Sequence, residues 1–230
     1  MDHVSLDVPA RALKSIIGPN GAGKTTLFNL LSGQYRASEG RIAFKGEDIT
    51  GWSAARRTRA GIGRSFQLTN IFPTLSVLEN VRVALQARAG LLFNAWRSYR
   101  AFPVLEDRAW EILETVLLGA KWRSPASELA HGEKRKLEVG ILLALDAEVL
   151  LLDEPTAGMA PAERRALMAL VERIGRGGGP ALLFTEHDMD VVFSVADRIT
   201  VLHQGRVIAE GAPEAVRADP EVQRVYLGEL

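Results

Sequence analysis

The chain has no cysteine. Disulfide staples, thiolate nucleophiles and cysteine-based metal sites are therefore excluded, and a reducing compartment is permitted. No stretch reaches the roughly 18 consecutive apolar residues that cross a bilayer. The opening MDHVSLDVPARALKSII carries charges where a secretory leader would place its apolar run. The expectation is a protein that is soluble, or peripheral through a partner. Neither sign of charge is in excess: 28 basic residues balance 28 acidic ones. No net field draws the chain to nucleic acid or anionic lipid, so nucleic acid is not expected among its partners. No internal repeat is visible, and no low-complexity tract is longer than Gly177-Gly178-Gly179. What is present is 230 residues with 47% hydrophobic content. That is enough to bury one large α/β domain, or a domain with a subdomain.

Along the chain, Leu13 to Ile17 is a short apolar run leading into a glycine-rich loop. Leu27, Leu30 and Leu31 then recur at helical spacing, with Gly33 as a stop. Arg41 to Phe44 alternates like a strand and precedes a turn-rich Lys45-Gly46-Glu47-Asp48; Ile62 to Phe66 is a further strand candidate. From about Ser76 to Ala120 the pattern is mostly helical (Val77, Leu78, Val81, then Trp110, Leu113, Val116 and Leu117). Residues 70–143 are accordingly expected to form a helical subdomain inserted in an α/β core made of 1–69 and 144–230. Glu148 to Leu152 and Ala181 to Phe184 are continuous apolar runs, as strands buried on both faces require. Ala162 to Ile174 reads as the helix between them. Ile199 to Leu202 and Arg206 to Ala209, joined by His203-Gln204-Gly205, read as a hairpin. The alternation of strands and helices predicts a mainly parallel sheet.

The loop Gly18-Pro19-Asn20-Gly21-Ala22-Gly23-Lys24-Thr25-Thr26 fits the spacing G-x-x-x-x-G-K-[ST]. A polyphosphate needs many donors in a small concave volume. Glycines let backbone N–H groups turn inward, and the helix starting near Lys24 adds the positive end of its dipole. Lys24 is the candidate contact to the β- and γ-phosphates of ATP, and Thr25 a candidate Mg²⁺ ligand. In EVLLLDEPTAG the strand places Asp153 at its carboxyl end, where open α/β sheets bind ligands. Asp153 would hold Mg²⁺ directly or through water, and Glu154 is the candidate base for a water attacking the γ-phosphate. His187, in LLFTEHD, lies just past the end of a third strand and can contact the γ-phosphate. Gln67, past another strand, could touch both Mg²⁺ and the attacking water.

These elements, in this order and with a helical insert between Gln67 and Asp153, resemble the ATP-binding subunit of an ABC transporter. The resemblance covers essentially the whole chain. It implies a signature loop, usually Leu-Ser-Gly-Gly-Gln, at the start of the helix before Asp153. The matching residues here are Leu129, Ala130, His131, Gly132 and Glu133. In the family arrangement two such subunits pack head to tail, and Ala130 to Glu133 of one chain would close over the ATP held by the other. Within the family, GIGRSFQLTNIFPTLSVLENV, DEPTAGMAP and the ending GRVIAEGAPEAVRADPEVQRVYLG look most like the ATPases of branched-chain amino acid importers, with urea and amide importers as close relatives.

The resemblance therefore implies a second ATPase subunit, identical or related, as partner. It also implies transmembrane permease subunits that hold the chain at the cytoplasmic face of the membrane, and a periplasmic or extracellular solute-binding protein. The permease contact is expected near Gln67 and Leu68 to Pro73, with Trp96, Tyr99 and Phe102 either adding to that face or packing in the core. The chain departs from the family pattern at three places. Ala130 lacks the serine hydroxyl, and Ala160 lacks the polar group that communicates across the dimer. No aromatic residue precedes Phe28 to stack on adenine, which predicts a missing or misassigned N-terminal segment. The alanines leave open an ATP-gated subunit with weak or no hydrolysis. A soluble non-transport ATPase of the same class, and a small-molecule kinase with the same loop, are the other readings.

Overall fold

The computed structural model describes residues 1–65, 71–91 and 103–227. The centre of the fold is β1 (Leu13–Ile17), whose five residues are all buried. It pairs in parallel with β6 (Ala181–Thr185) on one side and β7 (Arg198–His203) on the other. β5 (Val149–Asp153) joins β6, and β4 (Ile62–Arg64) joins β5, both in parallel. β8 (Arg206–Gly211) closes the far edge antiparallel to β7, giving the order β4-β5-β6-β1-β7-β8. The apolar runs follow from this: β5, β6 and β1 are interior strands covered on both faces, so alternation has no role in them. A separate two-stranded ribbon pairs β2 (Ala43–Phe44) with β3 (Glu47–Asp48). The turn is therefore shorter than Lys45 to Asp48. Only Lys45 (φ 51°) and Gly46 (φ 81°) form it, both left-handed as a two-residue hairpin turn demands, and Glu47-Asp48 is already the returning strand.

α1 (Lys24–Ser32) follows the glycine loop and ends at Gly33, φ 80°. α2 (Ala54–Ala60) has no apolar stripe; its buried Arg57 instead donates to the carbonyls of Leu30, Leu31, Ile49 and Thr50. That side chain ties the end of α1 to the ribbon's exit. α3 (Val77–Arg88), α4 (Pro103–Thr115) and α5 (His131–Ala144) pack on one another. α3 starts with a capping box in which Ser76 and Glu79 satisfy each other's backbone N–H. Val77, Val81, Leu113, Val116 and Leu137 fill the interface with no exposed surface. Burying a side chain such as Leu137 contributes about 1.5–3 kcal/mol.

α6 (Pro161–Arg176) links β5 to β6 and presents Leu167, Leu170 and Ile174 to that helical cluster. α7 (Met189–Val195) precedes β7, and α8 (Pro213–Ala218) follows β8. A cleft of about 640 Å³ runs between α4, the C-terminal end of α6 and the leading ends of β5 and β6. The chemistry-bearing residues lie at the other ends of the strands. The register sets Asp153 beside Thr185 and Ile17 beside Val201, so the segments after β5, β6, β1 and β7 emerge along one rim.

Candidate active site

Gly18 leaves β1 with φ 150°, and a Cβ there would lie 2.1 Å from the Leu202 carbonyl oxygen. Backbone cannot yield to that extent, so the position admits only glycine. Gly21 (φ 79°) and Gly23 (φ 106°) complete the left-handed steps of the loop. Ala22 N–H donates to Pro19 O at 3.1 Å, and Ala22 O accepts from Gly205 N–H at 2.8 Å, which pins the loop to the β7–β8 turn. The first helical bond runs from Leu27 N–H to Gly23 O at 2.9 Å. Gly23 offers no side-chain cap, so the N–H groups of the first turn have no intrahelical acceptor. Lys24 is buried and donates from Nζ to Gly18 O (2.6 Å) and Pro19 O (3.2 Å), holding the loop in a ring. Burial holds the Lys24 ammonium below its usual pKa, while the charges of Glu154 and Asp153 oppose that shift. Thr25 and Thr26 are exposed beside it.

Asp153 is 2% exposed. Its Oδ1 accepts from Thr185 Oγ1–H at 2.9 Å and its Oδ2 from Arg64 Nη2–H at 3.1 Å. Thr185 Oγ1 also accepts the Glu154 N–H at 3.0 Å. Glu154 turns with φ 49°, a rare conformation for a side chain of its kind, and its Oε1 meets His187 Nε2 at 2.8 Å. The structure thus brings Glu154 and His187 together, from the segments that follow two adjacent strands. Gln67 lies outside the described residues, as do Leu68 to Asn70 and Trp96, Tyr99 and Phe102.

Ala130 caps α5 with extended backbone but no side-chain acceptor. Glu133 Oε2 accepts the Ala130 N–H at 3.0 Å and pairs with Lys121, whose hydrogen bond is the main cause holding its carboxyl below the usual pKa. A Cβ on Gly132 would sit 3.2 Å from Met159 Cε. The His131 ring donates from Nε2 to Ala157 O at 3.2 Å. Ala160 caps α6 in the same way as Ala130, its N–H accepted by Glu163 at 3.2 Å. Among the described residues, no hydrogen bond or ion pair joins Ala130 to Glu133 with Gly18 to Thr26.

The arrangement suits a bound polyphosphate and a hydrated Mg²⁺. The loop passes so close to β7 that Gly18 can carry no Cβ, and the first-turn N–H groups of α1 have no side-chain cap. No cluster of three or more acidic, histidine or cysteine groups is found among the described residues. A hard cation held by one carboxylate, one hydroxyl, phosphate oxygens and water needs none. Three polar residues of the site were not singled out from the sequence: Arg64, Thr185 and Glu186. Thr185 and Glu186 lie within the same LLFTEHD stretch that singled out His187, so its strand-end position was the available signal. Arg64 gave none, since a lone arginine reads as surface.

Residues 1–157 match the family model described as ABC transporter, and residues 206–229 match the one described as branched-chain amino acid ATP-binding cassette transporter. The chain is 38% identical to the high-affinity branched-chain amino acid transport ATP-binding protein LivG of Salmonella typhimurium, over 100% of this chain and 92% of the relative. It is 38% identical to the corresponding protein BraF of Pseudomonas aeruginosa, with the same coverage. Among solved structures, it superposes on a nucleotide-free ATP-binding cassette from an ABC transporter with TM-score 0.82 and 30% identity, over 97% of this chain and 90% of that one. The ADP conformation of MJ1267, an ATP-binding cassette of an ABC transporter, gives TM-score 0.82 and 31% identity over 98% and 91%.

Proposed function

The chain belongs to the ABC transporter family, and from that membership we propose that it drives the uptake of branched-chain amino acids. It is an ATP-binding, ATP-hydrolysing subunit whose turnover is coupled to transport. The observation that carries the substrate class is the match of residues 206–229 to the branched-chain family, joined to full-length similarity with two branched-chain transport ATPases.

Gly18 to Thr26 hold the phosphates of ATP. Lys24, now turned onto its own loop, transfers its donors to the β- and γ-phosphate oxygens. Thr25, Asp153 and Gln67 would hold Mg²⁺, which would supply charge neutralisation to the phosphates. Glu154 accepts a proton from water as the water oxygen bonds to the γ-phosphorus and the bond to the ADP oxygen breaks. His187 orients Glu154 and the γ-phosphate. The 2.8 Å contact between the two side chains supports these roles.

Ala130, His131, Gly132 and Glu133 complete the site of a second ATPase subunit, identical or related. No hydrogen bond or ion pair among the described residues ties them to the chain's own glycine loop, which favours that reading. The helices α3 to α5, within residues 70–143, act as a subdomain, and residues 1–69 with 144–230 as the nucleotide-binding core. Permease subunits dock beside Phe72, which is 54% exposed next to a groove of about 290 Å³ lined by Ile71, Pro73, Ser127 and Lys134. Those subunits keep the chain on the cytoplasmic face of the membrane, and a solute-binding protein delivers the amino acid on the other side. No helix among the described residues is long and apolar enough to cross a membrane.

The test is reconstitution. The chain is co-purified with its membrane partners, placed in liposomes and supplied with the solute-binding protein. ATP turnover that rises with leucine, isoleucine or valine supports the reading. Turnover that responds only to another solute contradicts the substrate, and failure to co-purify any polytopic membrane protein contradicts the partner.

A further inference from the structure

Glu186 precedes His187 and is 4% exposed. Both of its carboxylate oxygens accept backbone N–H groups: Oε1 from Thr156 at 2.9 Å and Oε2 from His187 at 3.3 Å. Thr156 lies two residues beyond Glu154. One buried carboxylate therefore joins the two backbone segments that carry the 2.8 Å Glu154–His187 pair. β5 and β6 are in register only as far as Asp153 and Thr185. Past that point the ladder has ended, and Glu154 has taken a left-handed φ of 49°. Something other than sheet pairing must fix the spacing of the two segments. Thr185 Oγ1 does so on the Asp153 side, and Glu186 does so beyond Glu154.

The choice of a carboxylate is itself informative. Burial and the nearby Glu154 charge push the Glu186 carboxyl above its ordinary pKa, against the pull of the Thr156 and His187 N–H groups. A buried carboxyl beside another acid is costly to ionise, and such costs in folded proteins concentrate at working sites.

We propose that Glu186 is a positioning residue for hydrolysis, whose carboxylate clamps Thr156 to His187 and thereby sets the distance between Glu154 and the histidine. It makes no contact with ATP in this role. The clamped loop continues into Ala157, whose carbonyl accepts from His131. The same tie therefore holds the place where the start of α5 leans on the loop after Glu154.

The inference rests on the reading of Glu154 as the base, so Glu154→Gln is run beside Glu186→Ala and Glu186→Gln in one ATPase assay on the full chain. Glu186→Ala is expected to lower kcat roughly 10–100-fold, the usual effect of removing a group that orients a reacting one, with KM for ATP unchanged. Glu186→Gln keeps one acceptor for Thr156 and is expected to fall between Glu186→Ala and the native chain. Amide hydrogen exchange in residues 156–158 should quicken in Glu186→Ala and less in Glu186→Gln, independently of turnover. If Glu154→Gln is inactive while Glu186→Ala turns over at the native rate, the clamp is overturned and the base assignment stands. The clamp is also overturned if kcat and KM worsen together in both variants with a lowered melting temperature. If Glu154→Gln retains native turnover, the base assignment itself fails.

Discussion

His187 Nε2 lies 2.8 Å from Glu154 Oε1, although the two residues follow different strands and are 33 positions apart. The contact joins the candidate base to the residue proposed to orient it. Glu154→Gln keeps the shape and loses the proton acceptor. It should bind ATP normally, lose roughly 10²–10⁴-fold in turnover, and accumulate as an ATP-bound dimer. Single-turnover kinetics and light scattering with ATP measure both parts. Turnover at the native rate would remove Glu154 from the role.

Arg64 and Asp153 form an ion pair at 3.1 Å, with side chains 8% and 2% exposed. Arg64 also donates to Asn29 Oδ1 and Ser32 Oγ, and so connects α1 to the acid end of β5. Removing one partner of a buried pair leaves the other charge uncompensated. Arg64→Met should therefore cost about 3–5 kcal/mol in urea unfolding. The double variant Arg64→Met with Asp153→Asn should cost less than the sum of the two single changes. Additive costs would show that the pair is not coupled.

The strands were legible in the sequence where apolar runs were continuous, because Leu150 to Leu152 and Leu182 to Phe184 are buried on both faces. The glycine loop was legible because Gly18 and Gly23 mark backbone that side chains cannot follow. α2 was not, because AARRTRA carries no apolar period and is anchored by a buried arginine that sequence patterning assigns to the surface. α7 was hidden because seven residues after a strand end give too short a window for a period of 3.6. Arg64, Thr185 and Glu186 escaped for a common reason. Their partners stand 89, 32 and 30 positions away, and a hydrogen bond leaves no periodic trace.

Glu186 predicts a pH effect of definite sign. Its folded pKa is raised above the ordinary 4.5, mainly by burial. The stability it contributes is therefore whole below that ordinary value and is lost as pH rises through the higher folded value. Above the ordinary value the native chain carries a cost of ionising a buried carboxyl that Glu186→Gln lacks. The stability difference between the two chains should move in favour of the native chain as the pH falls from neutral to mildly acid. Urea unfolding of both across that range measures it. A difference independent of pH would show that Glu186 does not titrate with a shifted pKa in the folded chain.

The central claim is that ATP on the glycine loop of one chain is closed by the start of α5 of another. The absence of cysteine makes a direct measurement clean. Two singly substituted chains, Asn20→Cys and His131→Cys, each also carrying Glu154→Gln, are mixed and oxidised with and without ATP and Mg²⁺. The account predicts a disulfide-linked dimer of one chain with the other, formed only when ATP is present. A mixture that stays monomeric with ATP, or cross-links equally without it, would contradict the shared site.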